Sequence, residues 1–126
     1  MSALTKVMGI SVKMSTPDLE DSMNTACVVI ATFTPKPDRY DEVKRVLLEV
    51  SPEVHQEEGC ELYALHEEVD GTLVLIEKWT SRELWQAHLA LDTVTRIQKG
   101  VEGLLQGDVE VREMYGVTDT SYPESL

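Results

Sequence analysis

The sequence predicts an α+β fold in which an antiparallel β-sheet carries two helices on one face. In four short segments apolar residues alternate or run together as in strands, and in two longer segments they recur every three or four residues as in helices. These segments follow one another in the order β-α-β-β-α-β. We expect one domain over residues 26–117, an N-terminal extension over residues 1–25 and a polar tail over residues 118–126.

Length and charge exclude several classes of protein. A chain of 126 residues is long enough for one hydrophobic core and too short for two. The 11 Lys and Arg against 23 Asp and Glu give a net charge of −12, which argues against nucleic acid and anionic membranes as partners. The longest apolar run, residues 26–31, is far below the roughly 20 residues of a membrane span. With no secretion signal and only Cys27 and Cys60, we expect a cytoplasmic protein.

The N-terminal extension contains one strand-like segment. Met8, Ile10, Val12 and Met14 alternate with small or polar residues, so residues 4–14 are predicted to form an extra strand.

The first strand and helix of the domain come next. Residues 26–34 are rich in β-branched residues and end before Pro35. The helical spacing that follows predicts a kink or restart at Pro52, with Ser51 as cap, and Gly59 is suited to a left-handed turn. The apolar positions of this helix are Tyr40, Val43, Val46, Leu47, Val50 and Val54.

The second half supplies a hairpin, a helix and a last strand. Residues 62–67 and 72–79 flank Asp70-Gly71, a strong signal for a tight turn between antiparallel strands. Thr80 and Glu83 form a capping-box pattern before a second helix, whose spacing continues past residue 91. Residues 109–117 alternate as the final strand.

This order is that of a ferredoxin-like sheet, whose helices cover only one face. The predicted strands at residues 26–34 and 72–79 are apolar on both faces, as in residues 27–31 and 73–76. The face without helices therefore needs a second sheet, and an identical subunit is its simplest source, so we expect a homodimer.

The residues resemble a known family at this point. The segments that carry the resemblance are Val28-Val-Ile-Ala-Thr-Phe-Thr34 with Pro37, Glu58-Gly-Cys60 with Tyr63, and Glu77-Lys-Trp79 with Ser81 and His88. Together they resemble the antibiotic biosynthesis monooxygenase (ABM) family of dimeric α+β barrels. The resemblance implies a homodimer that oxidises an electron-rich phenol, hydroquinone or anthrone-type aromatic with dioxygen, without a cofactor.

Other activities occur on the same scaffold. The resemblance leaves a non-catalytic, dimeric ligand-binding or scaffold module as the alternative. Haem degradation in relatives needs a histidine about ten residues beyond the position of His88, and residues 92–99 contain none. The sequence also lacks HxH, HxxxH, HExxH and CxxC spacings and a phosphate-binding glycine loop, so neither a metal site nor a nucleotide cofactor is predicted.

His88 is the first candidate catalytic residue. It corresponds to the recurring helix histidine of the family, and its ordinary pKa near 6.5 suits removal of a phenolic proton. A core histidine bonded to Glu77 or to a backbone carbonyl is the alternative.

Glu77 and Trp79 complete the catalytic set. They lie two residues apart in the predicted strand at residues 72–79 and therefore share a face. This face is the helix side if they are to meet His88. Glu77 is expected to orient the imidazole or to form a structural ion pair. Trp79 is expected to offer an aromatic wall and an N–H donor for a substrate oxygen, or to be a core anchor.

Three further aromatic residues are candidates for substrate binding. Tyr63 and Tyr115 are expected to contribute hydroxyl contacts, with half-buried packing on their strands as the alternative. Trp85, one helical turn before His88, is expected to line the cavity entrance or to cover the sheet.

Overall fold

The structure is a computed structural model that describes the backbone of residues 3–7 and 10–14 and all of residues 26–117. Its elements in chain order are β1 (Ala3–Val7), β2 (Ile10–Met14), β3 (Cys27–Phe33), α1 (Tyr40–Val54), β4 (Cys60–Glu67), β5 (Leu73–Trp79), α2 (Arg82–His88), α3 (Asp92–Val101) and β6 (Glu110–Tyr115). The strands of these described residues form one sheet in the order β1-β2-β6-β3-β5-β4.

The central part of the sheet has the predicted ferredoxin-like arrangement. β6, β3, β5 and β4 are neighbours in that order, and every adjacent pair among them is antiparallel. Inward-facing residues of β3 and β5 pack against α1, α2 and α3 in one hydrophobic core. The predicted α+β class, with its helices on one face, is therefore confirmed.

The N-terminal extension differs from its prediction. One strand was expected over residues 4–14, whereas the structure has two strands whose register pairs Val7 with Ile10, so the chain reverses between them. Met8 and Gly9 lie outside the described residues. β2 meets β6 in parallel at Ser11 and Glu110, which adds the hairpin to the sheet.

Helix α1 is continuous, so a restart at Pro52 with Ser51 as cap is wrong, while the alternative of a kink stays a prediction. Pro52 lies inside the helix, which ends only at Val54. A proline removes one backbone hydrogen bond, but here Val50 and Val54 are buried and hold the last turn against the core. Gly59 follows in the expected left-handed conformation with φ +87°, and a Cβ there would come within 2.8 Å of Leu84 Cβ.

The region predicted as a second helix forms two helices. α2 ends at His88 with tight turns, in which the N–H of Leu91 donates to the carbonyl of His88 at 3.0 Å. Leu91 is extended and is the N-cap residue of α3, which begins at Asp92. The cap of α2 is Ser81, whose Oγ accepts from the Leu84 N–H, rather than Thr80. In the described residues, no helix has the length and hydrophobicity needed to cross a membrane.

The predicted hairpin of β4 and β5, with its turn at Asp70-Gly71, is confirmed. Gly71 has φ +94°, its N–H donates to the Glu68 carbonyl, and β4 and β5 pair antiparallel on either side. β6 occupies residues 110–115 of the predicted segment 109–117.

The two faces of the sheet are distinct. On β5, Leu73, Leu75, Glu77 and Trp79 are buried beneath the helices, as predicted. The alternate residues face the other way and are only half-buried. They include Val28 and Ile30 of β3, Val74 and Ile76 of β5, and Met114 of β6. We call this second surface the open face.

Candidate active site

Buried polar side chains gather between the sheet and the helices. Glu77 and Trp79 lie side by side on β5 because residues two apart in a strand share a face. His88 reaches them from the last turn of α2. Glu77 is 4% exposed, Trp79 0% and His88 5%. The structure thus brings together the three predicted catalytic residues in the interior.

A carboxylate that the sequence analysis did not single out orients His88. Glu57, in the loop after α1, places Oε1 2.6 Å from Nδ1 of His88. Its second oxygen accepts the Thr93 hydroxyl at 2.5 Å. Thr93 is in the first turn of α3, so the break between α2 and α3 brings it to this position. Glu57 is 31 residues from His88 in a loop, and no local spacing indicates the pair.

The Glu57 hydrogen bond decides which nitrogen of His88 is basic. Burial lowers the pKa of His88 below its ordinary value, and hydrogen bonding and charge from Glu57 oppose this. A neutral imidazole results, with Nδ1–H donating to Glu57 and the lone pair left on Nε2. His88 also lines a cavity. The arrangement is suited to accepting a proton from a bound molecule.

The predicted role of Glu77 in orienting His88 is wrong. Glu77 Oε1 accepts the indole N–H of Trp79 at 2.9 Å. Glu77 and Trp79, which share a face of β5, are thus bonded to each other, and the hydrogen bond to His88 comes from Glu57 in the loop. The pKa of Glu77 is raised to about 8, mainly by burial; the Trp79 hydrogen bond lowers it, and the negative charge of Glu57 adds to the rise.

Trp79 packs against the ring of His88. Its ring centroid lies 4.7 Å from that of His88, with the planes tilted by 32°. The N–H donor predicted for a substrate oxygen is already bonded to Glu77. Trp79 is not among the residues that line the cavity, so the predicted aromatic wall is also absent. It holds the His88 ring and the Glu77 carboxyl in place.

The three predicted binding residues separate into two groups. Tyr63 and Trp85 line the cavity, and the Tyr63 ring meets His88 edge-on at 6.1 Å. Burial is the main cause that raises the pKa of the Tyr63 hydroxyl. Tyr115 lies at the end of β6 opposite Cys27 and packs against the core. Tyr115 is not among the residues that line this cavity, and its position agrees with the alternative of half-buried packing.

The cavity itself is small. It has a volume of about 20 Å³, enough for about one water molecule. Its lining residues are apolar apart from Tyr63, Glu77 and His88 and the indole N–H of Trp85. Within residues 26–117, no three His, Cys, Asp or Glu side chains form a group able to hold a metal ion.

Comparisons with known proteins agree with this architecture. The family model for antibiotic biosynthesis monooxygenase matches residues 26–100. The solved structure of Rv0793 from Mycobacterium tuberculosis is 30% identical, covers 76% of this chain and 99% of that chain, and has a TM-score of 0.71. PA3566 from Pseudomonas aeruginosa is 28% identical, with coverages of 76% and 98% and a TM-score of 0.70.

A third solved structure, named antibiotic biosynthesis monooxygenase, is 29% identical to this chain and has a TM-score of 0.68. The match covers 73% of this chain and 99% of that chain. No curated protein matches the chain.

Proposed function

The chain belongs to the antibiotic biosynthesis monooxygenase family, and we propose that it oxidises an electron-rich phenol, hydroquinone or anthrone-type aromatic with dioxygen and without a bound cofactor. The observation that carries the proposal is the buried Glu57–His88 pair on the cavity wall. A buried histidine bonded to a carboxylate, with its other nitrogen left for a ligand, is an arrangement typical of a general base.

His88 performs the first step. A phenolic substrate carries its own reducing electrons, so the protein must remove a proton and hold the phenolate beside dioxygen. Nε2 of His88 takes that proton while Nδ1–H stays bonded to Glu57, which stabilises the imidazolium as it forms. Proton transfer to a positioned base contributes about a hundredfold to ten-thousandfold in rate.

Substrate entry requires the cavity to open. Binding sites for organic ligands usually have volumes of several hundred Å³, whereas this cavity has about 20 Å³. Leu89 lines it and belongs to the short connection between α2 and α3. We propose that this connection moves outward, with Trp85 and Tyr63 then exposed to the aromatic substrate.

The open face supports a homodimer. Its central residues are apolar and pair across strands, with Ile30 opposite Ile76 and Val28 opposite Met114. They are half-buried in the single chain, and an apolar surface of this kind is typical of an interface. A second copy related by a two-fold axis would bury both open faces as a dimeric α+β barrel.

A second candidate function is a non-catalytic dimeric module that holds a ligand or serves as a scaffold. The small cavity and the deep burial of His88 favour it. Under this candidate, Glu57 and Thr93 hold His88 as a structural group that joins the loop after α1 to α2 and α3.

An oxygen electrode separates the two candidates. The purified protein is incubated with a panel of hydroquinones, phenols and anthrones, without added metal or cofactor, and the products are analysed after reaction with isotopically labelled dioxygen. We expect oxygen uptake above the uncatalysed rate and one labelled oxygen in the product. Uptake no faster than the buffer control across the panel would contradict the proposed function and favour the ligand-binding module.

A further inference from the structure

The Glu77 carboxyl group is unusual for a buried acidic side chain. It lies on the cavity wall and is 4% exposed. Within residues 26–117, its one hydrogen bond partner is the neutral indole N–H of Trp79. Among the described residues, no lysine or arginine forms an ion pair with it. An ionised carboxylate in an apolar interior without a cation is strongly disfavoured.

Groups around Glu77 on the neighbouring elements also favour the neutral form of its carboxyl group. Glu57, from the loop before β4, places a negative charge nearby, since it raises the pKa of Glu77. Arg82 at the start of α2 is bonded to Glu113 of β6 at 2.5 Å, so its charge is already paired. The other titratable groups facing this region are His88 of α2, Cys27 of β3, and Cys60 and Tyr63 of β4.

We propose that Glu77 is a neutral carboxylic acid that donates a proton to the oxygen bound during the reaction and later recovers one, as the partner of His88. This inference rests on the proposed function and assigns the second proton-transfer group of the same site. The two residues line one cavity from opposite sides, the sheet and α2.

The proposed reaction begins with the two proton-transfer groups in their neutral forms. His88 Nε2 takes the phenolic proton, and the phenolate passes one electron to dioxygen. The phenoxyl radical and superoxide combine to form a C–O bond, and the resulting peroxide anion takes the Glu77 proton. The Glu77 carboxylate then removes the hydrogen from that ring carbon as a proton, the C–H electrons form the new carbonyl, and the O–O bond breaks.

The leaving hydroxide takes the proton from the His88 imidazolium and departs as water. One dioxygen and one phenol thus give one quinone and one water, and both residues return to their starting states.

The other polar groups of the site are less suited to this step. Trp79 has already donated its N–H to Glu77, and an indole does not release this proton near neutral pH. The raised pKa of Tyr63 means that its hydroxyl holds its proton too firmly. Glu77 is the remaining cavity-wall acid whose proton can be exchanged.

Infrared spectroscopy tests the protonation state without any substrate. Near neutral pH we expect the carbonyl stretch of a protonated carboxylic acid in the wild type and its loss in Glu77→Gln. The matched control is Glu68→Gln, because Glu68 is exposed in the hairpin. The control should keep the band. A wild type without the band, or a Glu77→Gln protein that retains it, would overturn the proposal.

Turnover tests the proton transfer. Glu77→Gln keeps the size of the side chain and loses the acid, so kcat should fall by about a hundredfold while KM changes little. Glu77→Asp, which retains an acid, should recover part of that loss. The wild-type rate should fall above pH about 8, where Glu77 ionises, and Glu77→Gln should lack this falling limb. An unchanged kcat with the same falling limb would overturn the assignment.

The two proposals fail differently. If wild-type protein takes up no oxygen with any substrate, the proposed function fails and the proton-transfer step fails with it. If wild-type protein turns over normally but lacks the infrared band, only the assignment of Glu77 is overturned.

Discussion

The two faces of the sheet are built from the same strands but contain opposite anomalies. Beneath the helices, where apolar residues are expected, β5 carries the buried carboxyl group of Glu77. On the open face, where polar residues are expected, the same strand carries Val74 and Ile76. Polar groups in a core and apolar groups on a surface both oppose the stability of a single chain, so each points to a function beyond folding.

The difference assigns a separate task to each face. The covered face holds Glu57, His88 and Glu77 in fixed positions and is the proposed site of chemistry. The open face presents apolar side chains such as Val74 and Ile76 and is the proposed site of subunit contact. Substitutions that affect one face should therefore leave the other largely intact.

The largest effect is expected at the open face. Ile76→Asp places a charge at the centre of the proposed interface, opposite Ile30 and Ala64. Burying an unpaired charge costs several kcal/mol, so the dimer should weaken by about a thousandfold or more. Analytical ultracentrifugation measures the change in the dissociation constant of the dimer. Leu48→Asp, on the exposed side of α1, is the matched control and should remain dimeric.

A soluble Ile76→Asp protein that remains a tight dimer would show that the subunits meet elsewhere. If Ile76→Asp does not fold, the milder variant Ile76→Ser tests the same contact and should raise the dissociation constant in the same direction.

The second largest effect, a loss of turnover, is expected for a substitution on the covered face. Glu57→Gln keeps the shape of the side chain but removes the charge that favours the Nδ1–H form of His88 and stabilises its imidazolium. Turnover should fall by at least about tenfold, with dimer affinity unchanged. Glu53→Gln is the matched control, because Glu53 forms an exposed ion pair with Arg96, and such pairs contribute little. Equal turnover in both variants would contradict the role of Glu57.

Much of the fold follows from local sequence patterns. The turn between β4 and β5 follows from Asp70-Gly71, and the shared face of Glu77 and Trp79 follows from their spacing of two in a strand. That this face lies beneath the helices was expected only on the condition that both residues meet His88. The uninterrupted apolar runs at residues 27–31 and 73–76 indicated the apolar character of the open face. These features depend on residues near one another in the chain, where periodicity is informative.

Features set by distant residues could not be predicted in this way. The Glu57–His88 pair joins a loop to a helix 31 residues away. The break between α2 and α3 lies within a continuous helical spacing, and the extended backbone of Leu91 ends that spacing without a proline or glycine signal. Trp79 was expected to offer its N–H to a substrate, and only the structure shows that Glu77 takes it.

A smaller effect concerns stability and pH. The folded-state pKa of Glu77 is raised from an ordinary value of 4.5 to about 8. The folded chain therefore holds a proton that the unfolded chain has lost between these values. This contribution to the free energy of unfolding is fully present below pH about 4.5 and is lost as pH rises to about 8.

Denaturant unfolding of the wild type and Glu77→Gln across that range measures the difference. We expect the wild type to lose stability relative to the variant as pH rises. Parallel pH curves for the two proteins would show that Glu77 ionises normally.

The most direct test of the central claim is the pH profile of oxygen uptake by wild type and His88→Ala with the best phenolic substrate. We expect a wild-type rate that rises through the pKa of His88. In His88→Ala the rate should fall by about a hundredfold or more, with the rising limb lost and the fold and dimer retained. A His88→Ala protein with the wild-type rate and the wild-type pH profile would contradict the claim that His88 is the base.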